Sequence, residues 1–597
     1  MTKNQQQLWV KDTYATNFPS KIIPHFFFNL AEYFNRFARA KSGPSKHPKQ
    51  SLITSGTESQ QVINRFFCAI LFFLIINQPG YSESFFAHYK LPPIEKASTK
   101  SRASRFLSQA MVLKRLKNLP VSLSDIDTPE IYINKLRNNI KKKTQVWPLN
   151  ALKHTFKGSK LSELNRFMAK YESNLTVFEI ITPELQADEP LVLSSNHFID
   201  GNNVTILANN LKPALLIPPS TSHAGITSFT FSKPTHAIHI ESANSIIFSR
   251  VNIKHATLGI TISGKSQYIS LEQIKITDGQ NSGLVVNGNS HHVWLHNSNF
   301  SNGQSARNEG AALFISDAIV PDLFSSLVTH HHPISIQPIL SPIPQPTPHH
   351  ILIEHSIFNN NRAQGIYLDG GNGIIIRANE ISNNDKEGLC LDFGSANNII
   401  SENIFSSNGN RAYQSDQDLE HDLVLGFGRM ADESAISKLP GIALDNAAQN
   451  FIIRNTILKN AGDGVKIVRS GFRNWIMFNS ILDNNKGHNS RFHFFGILLG
   501  AAGAEPEVIS DLNKPLDFFP PIENIVAGNI IYGQHYSAIL VDRGAAFNDI
   551  YDNVARQFIY MPLENASQSF NSIIGNSWNT DEKKEINLFQ SLKRLIY

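Results

Sequence analysis

A short apolar strand recurs down most of this chain, and it constrains the fold more than any other feature. It opens on glycine or alanine and ends on a polar residue. It reads GIYLDGGNG from Gly365, GLCLDFGSANN from Gly388 and GIALDNAAQN from Gly441. Earlier and later copies read AIHIES, GITISG, GLVVNG, ALFISD, GVKIVR, GILLGA and AILVDR. A second strand follows each copy, as in NGIIIRANEISNN and QNFIIRNTILKN. Gly365 to Gly388 and Gly441 to Gly464 are both steps of 23 residues. Three strands of about five residues with their turns fill such a step. A fixed period of this length marks a stacked repeat, in which each unit buries its apolar face against the next.

The expected fold is all-β: a right-handed parallel β-helix, a solenoid of about 23-residue coils, preceded by a basic helical N-terminal region. The pattern resembles the pectate-lyase-like superfamily over roughly Leu191–Trp578. Asparagines at the bend after the second strand support it, because stacked side chains there hydrogen-bond along the coil axis. Asn297, Asn379, Asn403, Asn455, Asn479, Asn529 and Asn553 are aligned at that bend, with His355 in one rung.

Before the repeat lie three stretches of different character. Residues 1–61 carry little pattern. Phe66–Ile76 is strongly apolar and follows Arg65, too short for a span of roughly 20 residues. With small residues near Ser82–Ser84 it has the shape of a signal peptide over 62–84. That places the expected start near Val62, makes 1–61 a gene-reading extension or a disordered stretch, and implies periplasmic or secreted export. A buried or anchoring helix is the other reading. Residues 85–174 read as a basic, mainly helical cap, densest in charge at Lys141–Lys143. That run is either a solvated helix face or a contact for an anionic surface. The β-helix is expected over 175–580 and a helix over 581–597. Insertions fall near 318–348, 410–439, 486–495 and 501–521; in repeat folds, insertions tend to map to one face, often the binding face.

The net charge of +5 with 17% charged residues is no nucleic-acid signature. The two cysteines, Cys68 and Cys390, lack zinc or redox spacing.

Strand alternation gives each side chain a direction. Ile366 and Leu368 point inward; Tyr367 and Asp369 point outward. The same alternation turns Cys390 with Asp392, Ala443 with Asp445, and Lys466 outward. Asp369, Asp392 and Asp445 therefore form one column, with rungs about 4.8 Å apart. Stacked carboxylates repel, and bound Ca²⁺, a nearby cation or a shared proton would offset that. Turn chemistry alone is the alternative, since Asp before Gly or Asn is a good turn residue. The acidic loop DQDLEHDLVLGFGR, with His421, belongs to the insertion between Asp392 and Asp445.

By resemblance, lyases of this superfamily hold Ca²⁺ on aspartates to neutralise a uronate carboxylate, and a lysine or arginine then removes the adjacent proton. This implies Asp369, Asp392 and Asp445 as calcium ligands, Lys466 as base, Arg469 as carboxylate clamp, and His421 or Tyr367 as acid. The partner is then an acidic polysaccharide, and the reaction β-elimination or C5-epimerisation. The chain departs from specific family motifs. Mannuronan C5-epimerases carry DPHD, which neither DFGS at Asp392–Ser395 nor LEHD at Leu419–Asp422 matches, and GDGVKIVR matches only a fragment of the hydrolase elements. A non-catalytic glycan-binding surface protein and a periplasmic accessory protein of metal enzymes remain the other classes. For the last, His330–His332 with His349 and His350 would bind a metal, or simply belong to a Pro/His-rich loop. FHFF at Phe492–Phe495 and Trp475 would offer sugar platforms, or pack loops onto the coil.

Overall fold

The computed structural model describes residue 116 and residues 119–578, apart from 127, 145–146, 149, 172–173, 210–211, 306–309, 317–346, 393, 411–437, 469–470, 487–492, 501–520, 543–544 and 568–569. The 1–61 extension, the 62–84 signal segment, the 581–597 helix and most of each insertion lie outside the described residues.

Most coils lay one strand in sheet B and two in sheet A; in three early coils the two merge into single strands of 11 residues, His197–Leu207, Ser222–Ser232 and Asn244–Lys254. Among the described residues sheet A has 25 strands and sheet B 13, close to the two-to-one ratio that such coils require. The described strands of successive coils pair in parallel, with one register shift, between Asp200 and Val204 where His197–Leu207 meets Ser222–Ser232. Ile366 sits beside Leu389, Leu389 beside Ile442, and Ile442 beside Val465. Inward residues such as Leu368, Leu391, Leu444 and Ile467 are fully buried in one continuous core. The all-β expectation and the coil period are what the chain forms.

The bend between the two sheet-A strands shows why asparagine recurs. Ala378, Glu402, Arg454 and Phe478 hold φ between 52° and 58°, a left-handed conformation that costs a non-glycine residue roughly 1–2 kcal/mol. The next residue offsets it. Asn379 Oδ1 accepts from the Ser356 amide at 2.9 Å, and Asn379 Nδ2 donates to Asn403 Oδ1 at 3.0 Å and to the Ile353 carbonyl at 3.0 Å. The same set repeats through Asn403, Asn455, Asn479, Asn529 and Asn553. Asn297 and His355 are not members. They occupy the left-handed position itself, with φ of 51° and 52°, and Ser298 and Ser356 fill the ladder slot. Two more ladders run in parallel, Asn384–Asn408–Asn460–Asn484 and Asn398–Asn450–Asn474–Asn524.

Helix α1 (Pro129–Lys143) straps the outside of sheet A. Thr128 caps it by accepting from the Ile131 amide at 3.3 Å, and Lys141–Lys143 occupy its last turn, where the helix dipole favours cations. Ile133, Leu136 and Ile140, at spacings of three and four, bury one stripe against Trp294, Leu352, Ile375 and Ile399. Arg137 clamps the strap through Glu354 at 2.6 Å. Lys141–Lys143 themselves are exposed. Helix α2 (Leu161–Met168) buries Leu161, Leu164 and Met168 at the N-terminal end of the core. Between these helices, Leu152–Phe156 is a strand paired in parallel with Thr176–Ile180. The coil thus begins inside the stretch expected to be helical. NALKHTF carries both periods, and pairing with the next coil selects the extended one.

Candidate functional site

Two outward columns of sheet B carry the sequence-derived residues. The first runs Phe314, Tyr367, Cys390, Ala443, Lys466 and Leu498. In the second, Ser316 pairs with Asp369 and Asp369 with Asp392, while Asp445 pairs with Val468 on the following rung. Asp445 follows Asp392, because Leu391 and Leu444 are partners. The three acids therefore stack on successive rungs. A backbone reason also exists at two of them: Asp369 precedes Gly370 at φ 89° and Asp445 precedes Asn446 at φ 52°.

The acids are engaged rather than solvated. Ser316 Oγ donates to Asp369 Oδ2 at 3.0 Å, Tyr367 Oη to Asp392 Oδ2 at 3.3 Å, and Asn446 Nδ2 to Asp445 Oδ1 at 3.2 Å. Each takes part in further interactions. Asp392 and Asp445 are only 5% exposed although they face outward. Cys390 and Ala443, both small, stand between the larger Tyr367 and Lys466, and Tyr367, Cys390 and Ala443 are buried in one apolar cluster. The insertion before Ala443 is pinned at its base, where Asn410 pairs antiparallel with Lys438.

Lys466 stands one rung beyond Ala443, diagonal to Asp445. Asp463 lies fully buried in the turn before it. Burial pushes its carboxyl up to about 6, against the opposing pull of Lys466, and the Phe495 amide donates to it at 2.7 Å. Asp463 was not among the residues singled out from sequence, though the GDG that precedes VKIV was visible. Asp542 was also missed. It ends the strand Ser537–Val541 in the acid-column position: its carboxylate lies 3.6 Å from where a Cβ on Gly500 would stand. Val468 and Gly500 interrupt the acidic pattern before it.

One expected pairing does not form. Tyr367 and Lys466 are three rungs apart in register, about 14 Å at the parallel-strand spacing. A single sugar unit cannot touch both, so Tyr367 is not the acid partner of Lys466. His421 and Arg469 lie outside the described residues.

Calcium has suitable donors here in type, since carboxylate oxygens are hard ligands. Their spacing is less suitable. Among the described residues no three His, Cys, Asp or Glu side chains gather into a group able to hold a metal ion.

His349 and His350 belong to a different arrangement. His349 stacks on His291 and His350 on His292, both with ring centroids 4.8 Å apart, and Asn139 of α1 contacts His292 Nε2 at 3.1 Å. Burial, then neighbouring imidazoles, pull His292 and His349 down to about 3 and His350 to about 4; Asp125 and Lys135 act on His350 with opposite signs. Neutral imidazoles are thus favoured in the fold, while the unfolded chain protonates near 6.5. Stability from this array is complete above that value and is lost as pH falls from 6.5 toward 3. Urea unfolding at pH 7 and pH 4.5 checks this. The midpoint is expected to drop at pH 4.5, and the drop is expected to shrink in His292→Gln/His350→Gln. His330–His332 lie outside the described residues.

The aromatic residues pack. Phe495 is buried with Leu498 and Leu540, His493 stacks on Tyr536 at 3.7 Å, and Trp475 stacks on Phe451 at 4.6 Å.

A family model described as a right handed beta helix region matches residues 215–329 and 347–511. The chain carries a right-handed parallel β-helix. No curated protein sequence matches it. Among solved structures, the A-module of mannuronan C-5 epimerase AlgE6 from Azotobacter vinelandii is 13% identical, with 70% of this chain and 97% of that chain covered at a TM-score of 0.38. The catalytic unit of a GH87 α-1,3-glucanase from Streptomyces thermodiastaticus is 13% identical, covering 73% and 70% at 0.43. PfbA, a surface adhesin of Streptococcus pneumoniae, is 12% identical, covering 67% and 91% at 0.37. Likeness at this level says nothing about activity.

Proposed function

We propose that this β-helix protein is exported, binds an acidic polysaccharide along the outward face of sheet B, and cleaves it by β-elimination at Lys466. The observation that carries this reading is the outward register of sheet B, which sets Lys466 one rung beyond Ala443 and diagonal to Asp445, with Asp392 and Cys390 on the rung before. A sugar placed there meets one amine and two hydrogen-bond-accepting acids in a nearly water-free setting. Lys466, in its amine form, takes the proton from the carbon next to the uronate carboxyl. The C–H electron pair passes through the carboxylate enolate and forms the ring double bond as the C4–O4 bond breaks. The new ammonium returns its proton to the leaving oxygen, so a single group suffices. C5-epimerisation shares the first half but needs a proton on the opposite face. The separation of Tyr367 from Lys466 therefore favours elimination.

The elimination does not draw on calcium at Asp369, Asp392 and Asp445, whose side chains do not gather into a metal-holding group among the described residues. A site there gives saturable Ca²⁺ binding by calorimetry that Asp392→Asn loses; equal binding by both proteins removes calcium from the column. The reaction itself is read as the ultraviolet absorbance of unsaturated uronate ends from polygalacturonate, alginate and hyaluronan. If no polymer yields that absorbance or an altered uronate stereochemistry, the enzyme reading fails and the glycan-binding one stands.

A further inference from the structure

Sheet A has outward columns of its own, on a face that no sequence motif marked. The first runs Phe198, Gly225, Ile247, Ser270, Trp294 and Leu352. From Trp294 onward α1 covers it. Before Trp294 it dips at Ser270, beside Ile247, because a serine there replaces the bulky residues of later rungs. The result is a groove of about 770 Å³.

Both ends of the groove are aromatic. At one, the half-buried Trp147 meets Phe198 edge-on at 5.3 Å. At the other, Trp294 is fixed by three contacts: its Nε1 donates to Glu354 Oε1 at 3.0 Å, His296 stacks on it at 4.0 Å, and Lys141 Nζ lies 5.0 Å from the ring centre. Glu354 is already paired with Arg137. The two ends are four rungs apart, about 19 Å.

The neighbouring column supplies polar groups along the same length. It runs Asp200, Thr227, Ser249, Glu272 and His296. Arg250 reaches back across it, donating to Thr227 Oγ1 from Nε at 3.3 Å and Nη2 at 3.2 Å. The charges balance, with Asp200 and Glu272 against Arg250 and Lys141. An acidic polymer would find no net positive field here. A neutral sugar chain finds the half-buried Trp147 for a C–H face at one end, the buried Trp294 closing the other with 9% exposure, and carboxylate, guanidinium and hydroxyl groups spaced by rung for its hydroxyls.

We infer that this groove is a second glycan site, binding a neutral oligosaccharide laid along the coil axis between Trp147 and Trp294. It lies on sheet A, not on sheet B, and rests on no part of the elimination reading.

The test is calorimetric binding to the full chain of three neutral tetrasaccharides (cellotetraose, maltotetraose and laminaritetraose) and of one acidic probe, tetragalacturonate. Ser270→Ile fills the floor with the residue that the same column carries at Ile247, Ile375 and Ile399, so the coil tolerates it. Trp147→Ala removes one wall. At least one neutral tetrasaccharide is expected to bind the wild type, and each variant is expected to weaken it by about tenfold or more. Lys466→Ala is expected to bind it unchanged. The inference is overturned if no neutral probe binds, if only tetragalacturonate binds, if Lys466→Ala abolishes neutral binding, or if either groove variant binds as the wild type does.

Discussion

Lys466→Ala is expected to lower turnover about 10²–10⁴-fold, the usual worth of a positioned proton-transfer group, while substrate affinity changes only a few-fold. The asymmetry follows from placement. Lys466 follows Ala443 in one outward column, whereas the acids that would hold hydroxyls, Asp392 and Asp445, stand in the neighbouring column. Lys466→Arg makes the sharper comparison. It keeps the positive charge beside the buried Asp463, so the folded state is preserved. A guanidinium is a far weaker base than an amine at neutral pH, although arginine stands as the base in some of the lyases that this coil resembles. Turnover in Lys466→Arg should therefore fall between Lys466→Ala and the wild type, with its rate rising at higher pH. If Lys466→Ala turns over as fast as the wild type, the proton is removed elsewhere. Tyr367→Phe should lose far less, since its hydroxyl bonds Asp392 and lies three rungs from the amine.

The coil was readable because its cause is local and repeated. A period of 23, strict alternation and asparagine at the bend each follow from one unit stacking on an identical one. The acid column was readable for the same reason, since alternation fixes direction and register fixes stacking. What escaped depends on contacts between distant segments. The strand Leu152–Phe156 looked helical because only its partner at Thr176–Ile180 makes it extended. Asn297 and His355 were placed one residue out of register, because asparagine, serine and a left-handed neighbour share the same bend. The groove on sheet A depends on where α1 ends, with its Lys143 carbonyl accepting from Ser245 Oγ at 3.1 Å and Lys141 and Thr144 lining the groove, a placement that the helix sequence does not contain.

Asn455→Ala is expected to destabilise the coil by about 3–5 kcal/mol, since each buried polar group left without a partner costs about 1–3 kcal/mol. Asn455 is 1% exposed. Its Oδ1 accepts from the Asn403 amide and from Asn403 Nδ2, both at 3.0 Å, and its Nδ2 donates to the Ile400 carbonyl at 2.9 Å and to Asn479 Oδ1 at 3.0 Å. Alanine orphans the Asn403 amide and the Ile400 carbonyl together, with no water to replace them. It also leaves Arg454 in its left-handed conformation, φ 56°, without the bonds that offset it. Asn576, at the half-buried end of the same ladder, makes the control. Its Nδ2 reaches the Ile550 carbonyl at 2.9 Å, yet solvent can take over there, so Asn576→Ala should cost under about 1 kcal/mol. Urea unfolding midpoints compare the two. Equal losses at both positions would mean that the ladder contributes ordinary turn bonds. A much larger loss at Asn455 means that the ladder couples each coil to the next, because in a stacked repeat a break in the middle severs two interfaces and a break at the end only one.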